Sequence, residues 1–336
     1  MAMPDRSKKT TASRKVFRLS LAVLVALLLY SGGWYWAATA LDGRLAKIFG
    51  TKDTDRANVE CADRQLRGFP FRIGLFCTSI TIDDHRNGIS ASFGNFRSAA
   101  QVYNPGKIVW ELDGPGQVRS TAGYGLSLQW EKLRSSVVSA IAGIDRSSLE
   151  VENLSAALTT TQSAPTLDMT VSHLESHIRQ DDGNLDYAAT VRDVQLSSRE
   201  SKIELPKFSA TLEATLDGQA SLLNFGGANL SNLYGLQGNL TRLVADLGDG
   251  RMVTLSGPIS IGDTGLLSGK IHVEVENITG WASETKLVWP DAANDIDNAM
   301  RMLSALIGGN KGNVDLRIDN GAIFLGLFPI GKIPPI

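Results

Sequence analysis

The sequence has little cysteine and little proline, and both shortages exclude classes of protein. Two cysteines among 336 residues are too few for a disulfide-rich scaffold or for a four-cysteine zinc site. Eleven prolines, without a glycine at every third position, exclude a collagen-like chain. Charged residues make up 20% and hydrophobic residues 43% of the chain, which is typical of a globular protein and excludes wholesale disorder.

Positive charge is concentrated at the N-terminus. Residues 1–18 contain six lysines and arginines and one aspartate, a net charge of +5. Because the whole chain has a net charge of −2, the remaining residues sum to −7. A mildly acidic body lacks the basic surface that binds phosphate backbones. The sequence therefore predicts no nucleic-acid partner.

Residues 19–38 contain no charge at all. Twenty helical residues span about 30 Å, the thickness of the hydrocarbon core of a bilayer. The basic flank places the N-terminus in the cytoplasm, and Trp34, Tyr35 and Trp36 would then lie at the outer interface. We predict a single-pass membrane anchor, with the bulk of the chain exported.

A cleaved signal peptide is the competing interpretation of the same segment. Ala38 and Ala40 flank Thr39 in the pattern of a signal-peptidase site, with cleavage after Ala40. Three bulky aromatic residues just before this site favour an uncleaved anchor. Both interpretations predict that everything after Leu41 is exported.

The two cysteines lie at equal distances from Phe69. If Gly68, Phe69 and Pro70 form the tip of a β-hairpin, Cys61 lies directly opposite Cys77. Opposed residues of an antiparallel pair have Cα atoms about 4.5–5.5 Å apart, which suits a disulfide. An exported domain lies in an oxidising compartment. We therefore predict a structural disulfide; redox activity is disfavoured because the C-x-x-C spacing is absent.

The rest of the chain alternates short apolar runs with Asn-Gly, Asp-Gly and other turn signals. This pattern predicts a long antiparallel meander. One segment has a helical period instead, and its apolar stripe ends before Gly308. The stripe is formed by Ile296, Met300, Leu303 and Ile307, and we expect it to lie on an open face of the sheet.

These patterns together predict a mainly β fold. One N-terminal transmembrane helix is followed by a large curved antiparallel sheet, a meander with a few packing helices. The predicted units are a basic cytoplasmic head at 1–18, the transmembrane anchor at 19–38, a linker at 39–57 and a β-rich periplasmic domain at 58–336.

Catalytic and metal-binding spacings are missing from the sequence. His173 and His177 are the one close pair of histidines, but their neighbours have the pattern of a strand. Four residues of strand span about 13 Å, too far for both to bind one metal ion. The segment 265–271 has only three residues between its glycines, and an isoleucine where a P-loop has Ser or Thr. We predict a protein that is not an enzyme and has no metal or cofactor.

Several segments resemble the bacterial envelope family called domain of unknown function 2125. They are the GFPFRIGLFC run at 68–77, the strand-and-glycine pattern at 233–267, SGKIHVEV at 268–275 and the proline-rich terminus at 319–336. The resemblance implies an inner-membrane anchor and a β-rich periplasmic domain, and it implies no activity. The rhythm of strands and glycines is also similar, more distantly, to AsmA-like envelope proteins, which are implicated in lipid handling.

Two functions remain open at the level of sequence. In the first, the curved sheet shelters a lipid or another apolar ligand. In the second, the domain is an envelope scaffold with a closed core that binds other proteins and no ligand.

The prolines at 329, 334 and 335 cannot donate to a central ladder. We therefore expect the C-terminal tail to dock along a sheet edge or across the apolar face.

Overall fold

The computed structural model describes residues 9–50, 57–160, 167–198, 203–225 and 234–335. Within these ranges the fold consists of one long helix, an antiparallel sheet and two short helices near the C-terminus. The mainly β fold predicted from the sequence is confirmed.

The N-terminal helix α1 runs from Lys9 to Gly50 and has 42 residues. It contains the predicted span at 19–38 and extends beyond it at both ends. The prediction of a linker at 39–57 is therefore wrong for residues 39–50, which are helical. This stretch is rich in alanine and leucine and has no proline, so nothing in it ends the helix. The rest of the predicted linker up to Arg56 lies outside the described residues.

The first part of the sheet is made of short strands. They are β1 (Asn58–Ala62), β2 (Gln65–Arg67), β3 (Arg72–Cys77), β4 (Ser79–Asp84), β5 (Ile89–Phe93), β6 (Phe96–Gln101), β7 (Asn104–Leu112), β8 (Gly116–Ser120), β9 (Tyr124–Gln129) and β10 (Lys132–Ser139).

The strands that follow are mostly longer, and the helices lie among the last of them. The strands are β11 (Ile144–Thr160), β12 (Leu167–Asp181), β13 (Asn184–Ser198), β14 (Ile203–Glu204), β15 (Phe208–Leu216), β16 (Gln237–Asp246), β17 (Met252–Ile261), β18 (Leu267–Glu276), β19 (Lys311–Asp319), β20 (Ala322–Leu325) and β21 (Phe328–Lys332). The helices are α2 (Ile278–Val288) and α3 (Ala293–Ile307), with short 3-10 turns at Ala220–Leu223 and Pro290–Ala292.

Several short strands are two halves of one longer strand. β3 and β4 together pair with β1 and β2 on one side, and with β5 and β6 on the other. The same holds for β7 with β8 and for β9 with β10. When the halves are joined, each strand pairs with the strands before and after it in the sequence. The sheet is thus the predicted up-and-down meander.

Local turn chemistry fixes several of the hairpins. Asp182 and Gly183 join β12 to β13 with positive φ angles of 46° and 85°. Asn320 and Gly321 join β19 to β20 in the same way, with φ angles of 47° and 78°. Two-residue turns of this type match the right-handed twist of the paired strands, and residues with positive φ favour Asn, Asp and Gly.

A well-packed core lies at the C-terminal end of the sheet. Its centre is Ile278, the first residue of α2, which is 1% exposed and packs with Ile271, Val273 and Val275 of β18. Met300 and Leu303 of α3 also pack on this cluster, as expected for two members of the apolar stripe. Ile296 is half-buried. The side chain of Ile307 lies outside the described part of the chain.

The C-terminal tail follows the edge of the sheet. β21 pairs with β20, and Pro329 lies opposite Phe324. The backbone N–H of Ile333 donates to Gly321 O over 2.7 Å, and the Ile333 side chain packs against the core cluster. An edge strand tolerates proline because one side of the strand makes no ladder bonds.

Candidate functional site

Helix α1 contacts the sheet through one of its faces. The Tyr30 hydroxyl donates to Pro70 O over 2.6 Å, and the Trp34 indole N–H donates to Arg72 O over 3.0 Å. Trp34 is 7% exposed, and its ring lies edge-on to the Phe69 ring with the centroids 5.4 Å apart. The residues that make these contacts are four apart, the spacing of one helix face.

The contact continues one turn beyond the aromatic residues. Ala38 is buried, and Asp42 forms an ion pair with Arg64 of the sheet domain at 3.1 Å. The three predicted interface aromatics have different environments: Trp34 is buried, whereas Tyr35 and Trp36 are 61% and 75% exposed. The sequence signal for this docking face was the four-residue spacing of residues 30, 34, 38 and 42.

Cys61 and Cys77 form a disulfide in the structure, with Cα atoms 5.3 Å apart. The predicted register is wrong, however, because Cys61 lies opposite Ile80 and not opposite Cys77. Arg67 pairs with Gly74, so six residues separate the last paired positions of the hairpin instead of the three expected at the tip. The chain also turns at Asp63, between β1 and β2, where φ is +48°. The register is the same on both sides of this turn.

One face of the sheet has a row of residues without any charge. The row takes one residue from each strand, and each member pairs with the next. Its members are Ser98, Trp110, Ser135, Leu149, Ser176, Ala189, Leu212, Leu243, Leu255, Val273 and Val314. Residues paired across a ladder lie on the same face. With about 4.8 Å between strands, this uncharged row is roughly 50 Å long.

The cover over the uncharged row changes along its length. Val273 lies under α2 and α3 and is 8% exposed. Trp110, Leu149 and Leu212, further along the row, are only half-buried. The whole chain exposes 22020 Å², against about 13400 Å² for a compact monomer of 36.1 kDa. Part of this excess belongs to α1, and the rest agrees with an apolar face that is incompletely covered.

The opposite face has a row of charged residues. From β6 to β12 its paired members are Arg97, Glu111, Arg134, Glu150 and Glu175. Arg134 and Glu150 form a two-point ion pair at 2.7–2.9 Å, and this hydrogen bonding lowers the pKa of Glu150. Paired charges on adjacent strands stabilise a sheet modestly. We call this set the charged row.

The charged face also carries an open groove. Three adjoining concavities of about 500, 410 and 410 Å³ lie along it. Ser148 lines the first and the second, and Glu213 lines the second and the third. Arg97 and Arg134 line the first concavity together with Phe76 and Val109, so its walls combine charged and apolar side chains.

His173 and His177 lie on β12 on this charged face, as the strand pattern predicts. His173 Nδ1 lies 2.9 Å from Glu152 Oε1, and His177 Nε2 lies 2.8 Å from Glu175 Oε1. Among the described residues, no group of three potential ligands has the geometry of a metal site. These histidines act there as members of a hydrogen-bonded polar surface.

A small apolar cleft lies beside α2. It has a volume of about 170 Å³ and is lined by Phe208, Leu247, Trp281 and Trp289 among others. The Trp281 Nε1 atom is buried and has no hydrogen-bond partner among the described residues. The cleft is much smaller than the groove on the charged face, and α2 separates it from solvent on one side.

The described residues define a class of protein: a large antiparallel sheet joined to one helix that is long and apolar enough to cross a membrane, with the qualifying segment at Arg14–Lys47. The chain belongs to the bacterial family described as "uncharacterized protein conserved in bacteria (DUF2125)", whose model matches residues 34–334. This confirms the family resemblance. Searches among curated proteins and among solved structures found no match. The likeness to AsmA-like proteins stays a prediction.

Proposed function

We propose that this protein is a single-pass inner-membrane protein whose periplasmic sheet shelters acyl chains on its uncharged row. The observation that carries the proposal is the uncharged row itself, which is about 50 Å long. Its large apolar members Trp110, Leu149 and Leu212, away from α2 and α3, are only half-buried. An apolar sheet face requires a cover, which is a helix, another sheet, a partner or a ligand. The protein performs no chemistry in this proposal, and its ligand is held by apolar contact.

The row begins near the membrane helix, and this continuity favours lipid as the occupant. The Ser98 hydroxyl bonds to the backbone of Leu75 in β3. The loop before β3 contacts α1 through Phe69 and Arg72. An acyl chain leaving the bilayer beside α1 would therefore meet an uncharged surface directly.

The proposed orientation rests on charge and on the disulfide. The six basic residues before Leu19 favour a cytoplasmic N-terminus. The Cys61–Cys77 bond is stable in an oxidising compartment such as the periplasm. A reporter enzyme active only in the periplasm, fused after Ile336, should be active. Activity of a cytoplasm-specific reporter at the same site would refute the orientation.

Native mass spectrometry of the detergent-extracted protein tests the lipid proposal. We expect bound phospholipid or free fatty acid on the intact chain. Leu149→Glu places a charge in the uncharged row and should reduce the bound lipid at least severalfold. Ser148→Glu is the matched control, because the neighbouring residue of β11 points to the opposite face, and it should keep the lipid.

A second function is supported by the charged row. A groove with arginine and glutamate walls suits a polar segment of another protein better than an acyl chain. In this alternative the domain is an envelope scaffold without a ligand. Absence of lipid from the folded wild-type protein, together with salt-sensitive binding of a partner that Arg134→Gln weakens, would favour the scaffold.

A further inference from the structure

The loop between β2 and β3 contains the sequence Gly68-Phe69-Pro70-Phe71 and holds two exposed aromatic rings. Phe69 is 46% and Phe71 is 64% exposed. Tyr103, in the neighbouring turn between β6 and β7, is 74% exposed. The two turns are joined by a hydrogen bond from Val102 N to Phe71 O at 3.0 Å. Three large aromatic side chains therefore project from one corner of the sheet.

This corner lies beside the membrane-spanning part of α1. The Tyr30 hydroxyl bonds to Pro70 O, and the Phe69 ring packs against Trp34 and Tyr35, so the loop is level with residues 30–35 of α1. Tyr30 lies eight residues before Ala38, the last residue of the uncharged run, which is about 12 Å along the helix axis. Half of a hydrocarbon core is roughly 15 Å thick. The loop is therefore placed within the outer half of the span.

The carbonyl groups of the loop are mostly hydrogen-bonded within the protein. Four of the five carbonyl oxygens from Gly68 to Arg72 accept hydrogen bonds, from α1 or from other parts of the sheet. Pro70 has no N–H that needs a partner. Unsatisfied backbone groups cost several kcal/mol in hydrocarbon, so these bonds lower the cost of immersing the loop.

We propose that the loop at 68–71, together with Tyr103, inserts into the outer leaflet of the bilayer as a second membrane contact beside α1. The exposed Arg72 follows directly and can extend to the headgroup phosphates. This inference rests on the proposed single-pass anchor and adds to it a fixed attachment of the sheet to the membrane surface. The corner of the sheet nearest the uncharged row is thereby held in the lipid.

Fluorescence quenching in vesicles tests this proposal on the full-length protein. An environment-sensitive dye is attached to single added cysteines in three variants, Phe71→Cys, Leu27→Cys and Tyr124→Cys, with the native disulfide intact. Tyr124 is the matched control, because it is 55% exposed and begins β9 beside the turn at the other end of the strands. The vesicles contain phosphatidylethanolamine, phosphatidylglycerol and lipids brominated along their acyl chains.

We expect brominated lipid to quench the dye at positions 71 and 27 at least twofold, and aqueous iodide to quench only the dye at 124. Quenching at 27 but iodide access at 71 would overturn the loop insertion and leave the anchor intact. Loss of quenching at 27 would instead refute the anchor. A dye at 71 reached by neither quencher would show that protein covers the loop, which also overturns the proposal. If Phe71→Cys does not fold, Tyr103→Cys provides the same test.

Discussion

The two ends of the apolar sheet face are built from similar residues but have different covers. At β18 and β19 the face consists of valine, isoleucine and leucine, and the helices α2 and α3 bury it. Between β7 and β16 the same face carries Trp110, Leu149 and Leu212, which remain half-buried. The difference arises because, in the described part of the chain, the two packing helices both lie between β18 and β19. A hydrophobic pattern therefore identifies the inner face of a sheet but does not establish what covers it.

The first prediction concerns the end of the apolar sheet face that α2 and α3 cover. Ile278→Ala should destabilise the fold by roughly 3–4 kcal/mol, because a nearly inaccessible side chain is lost and a cavity remains. Chemical denaturation followed by circular dichroism measures this change. A loss below about 1 kcal/mol would show that the C-terminal cluster is not a tightly packed core.

The second prediction concerns the disulfide at the opposite end of the sheet. The double variant Cys61→Ser, Cys77→Ser should lose about 3 kcal/mol, because the closed loop no longer restricts the unfolded chain. The melting temperature of the wild type under reducing conditions should fall to that of the variant. Labelling of two free thiols in the freshly isolated, unreduced protein would contradict the bond itself.

The third prediction concerns the tail. Truncation after Leu327 removes β21 and the Ile333 side chain that packs on the core cluster. We expect a loss of about 2 kcal/mol and increased binding of a dye that detects apolar surface. Equal melting temperatures and equal dye binding of the two proteins would mean that the tail does not contribute to the fold.

The fourth prediction concerns the half-buried part of the apolar face, between β7 and β16. Leu212→Ala should cost about 1 kcal/mol, much less than Ile278→Ala, because a half-exposed side chain loses less burial. Bound lipid should increase the cost of Leu212→Ala relative to the wild type, since the wild-type leucine then contacts the lipid. If Leu212→Ala costs as much as Ile278→Ala in lipid-free protein, the face is closed and the comparison fails.

The fifth and smallest effect concerns His272 and Asp315, which are paired across β18 and β19 at 2.8 Å. The hydrogen bond from His272 Nδ1 to the Asp315 carboxylate raises the pKa of His272 and lowers the pKa of Asp315. The contribution of His272 to the stability of the fold is complete below its unfolded pKa of about 6.5. It is lost as the pH rises through the raised pKa of the folded state. The contribution of Asp315 to stability is present above its unfolded pKa of about 3.9. It is lost as the pH falls through the lowered pKa of the folded state.

His272→Gln should therefore reduce the melting temperature slightly between about pH 5 and 6 and have no effect at alkaline pH. The two side chains are 41% and 61% exposed, so the shift is expected to be small. Glu274→Gln removes the longer ion pair of His272, at 3.6 Å, and should give a smaller change of the same sign. A difference in melting temperature between the wild type and His272→Gln that grows towards alkaline pH would contradict the assigned pKa directions.

Features that depend on neighbouring residues were predictable from the sequence. The apolar span, the Asp182-Gly183 and Asn320-Gly321 turns and the stripe of α3 are set within one helix or one hairpin. The disulfide was also predictable because its cysteines belong to one hairpin, although six residues between the last paired positions, instead of three, changed the register. The charged row was not predictable, since its members become neighbours only when the register of every intervening strand is known.

The order of strand pairing also has a consequence for how the chain folds. Since each strand pairs with its sequence neighbours, no strand has to wait for a partner far along the chain. Synthesis delivers the N-terminal strands first, so hairpins can join the growing edge one after another behind the disulfide. The final strand, with Pro329 at its second position, then closes the series at an edge where further pairing is disfavoured.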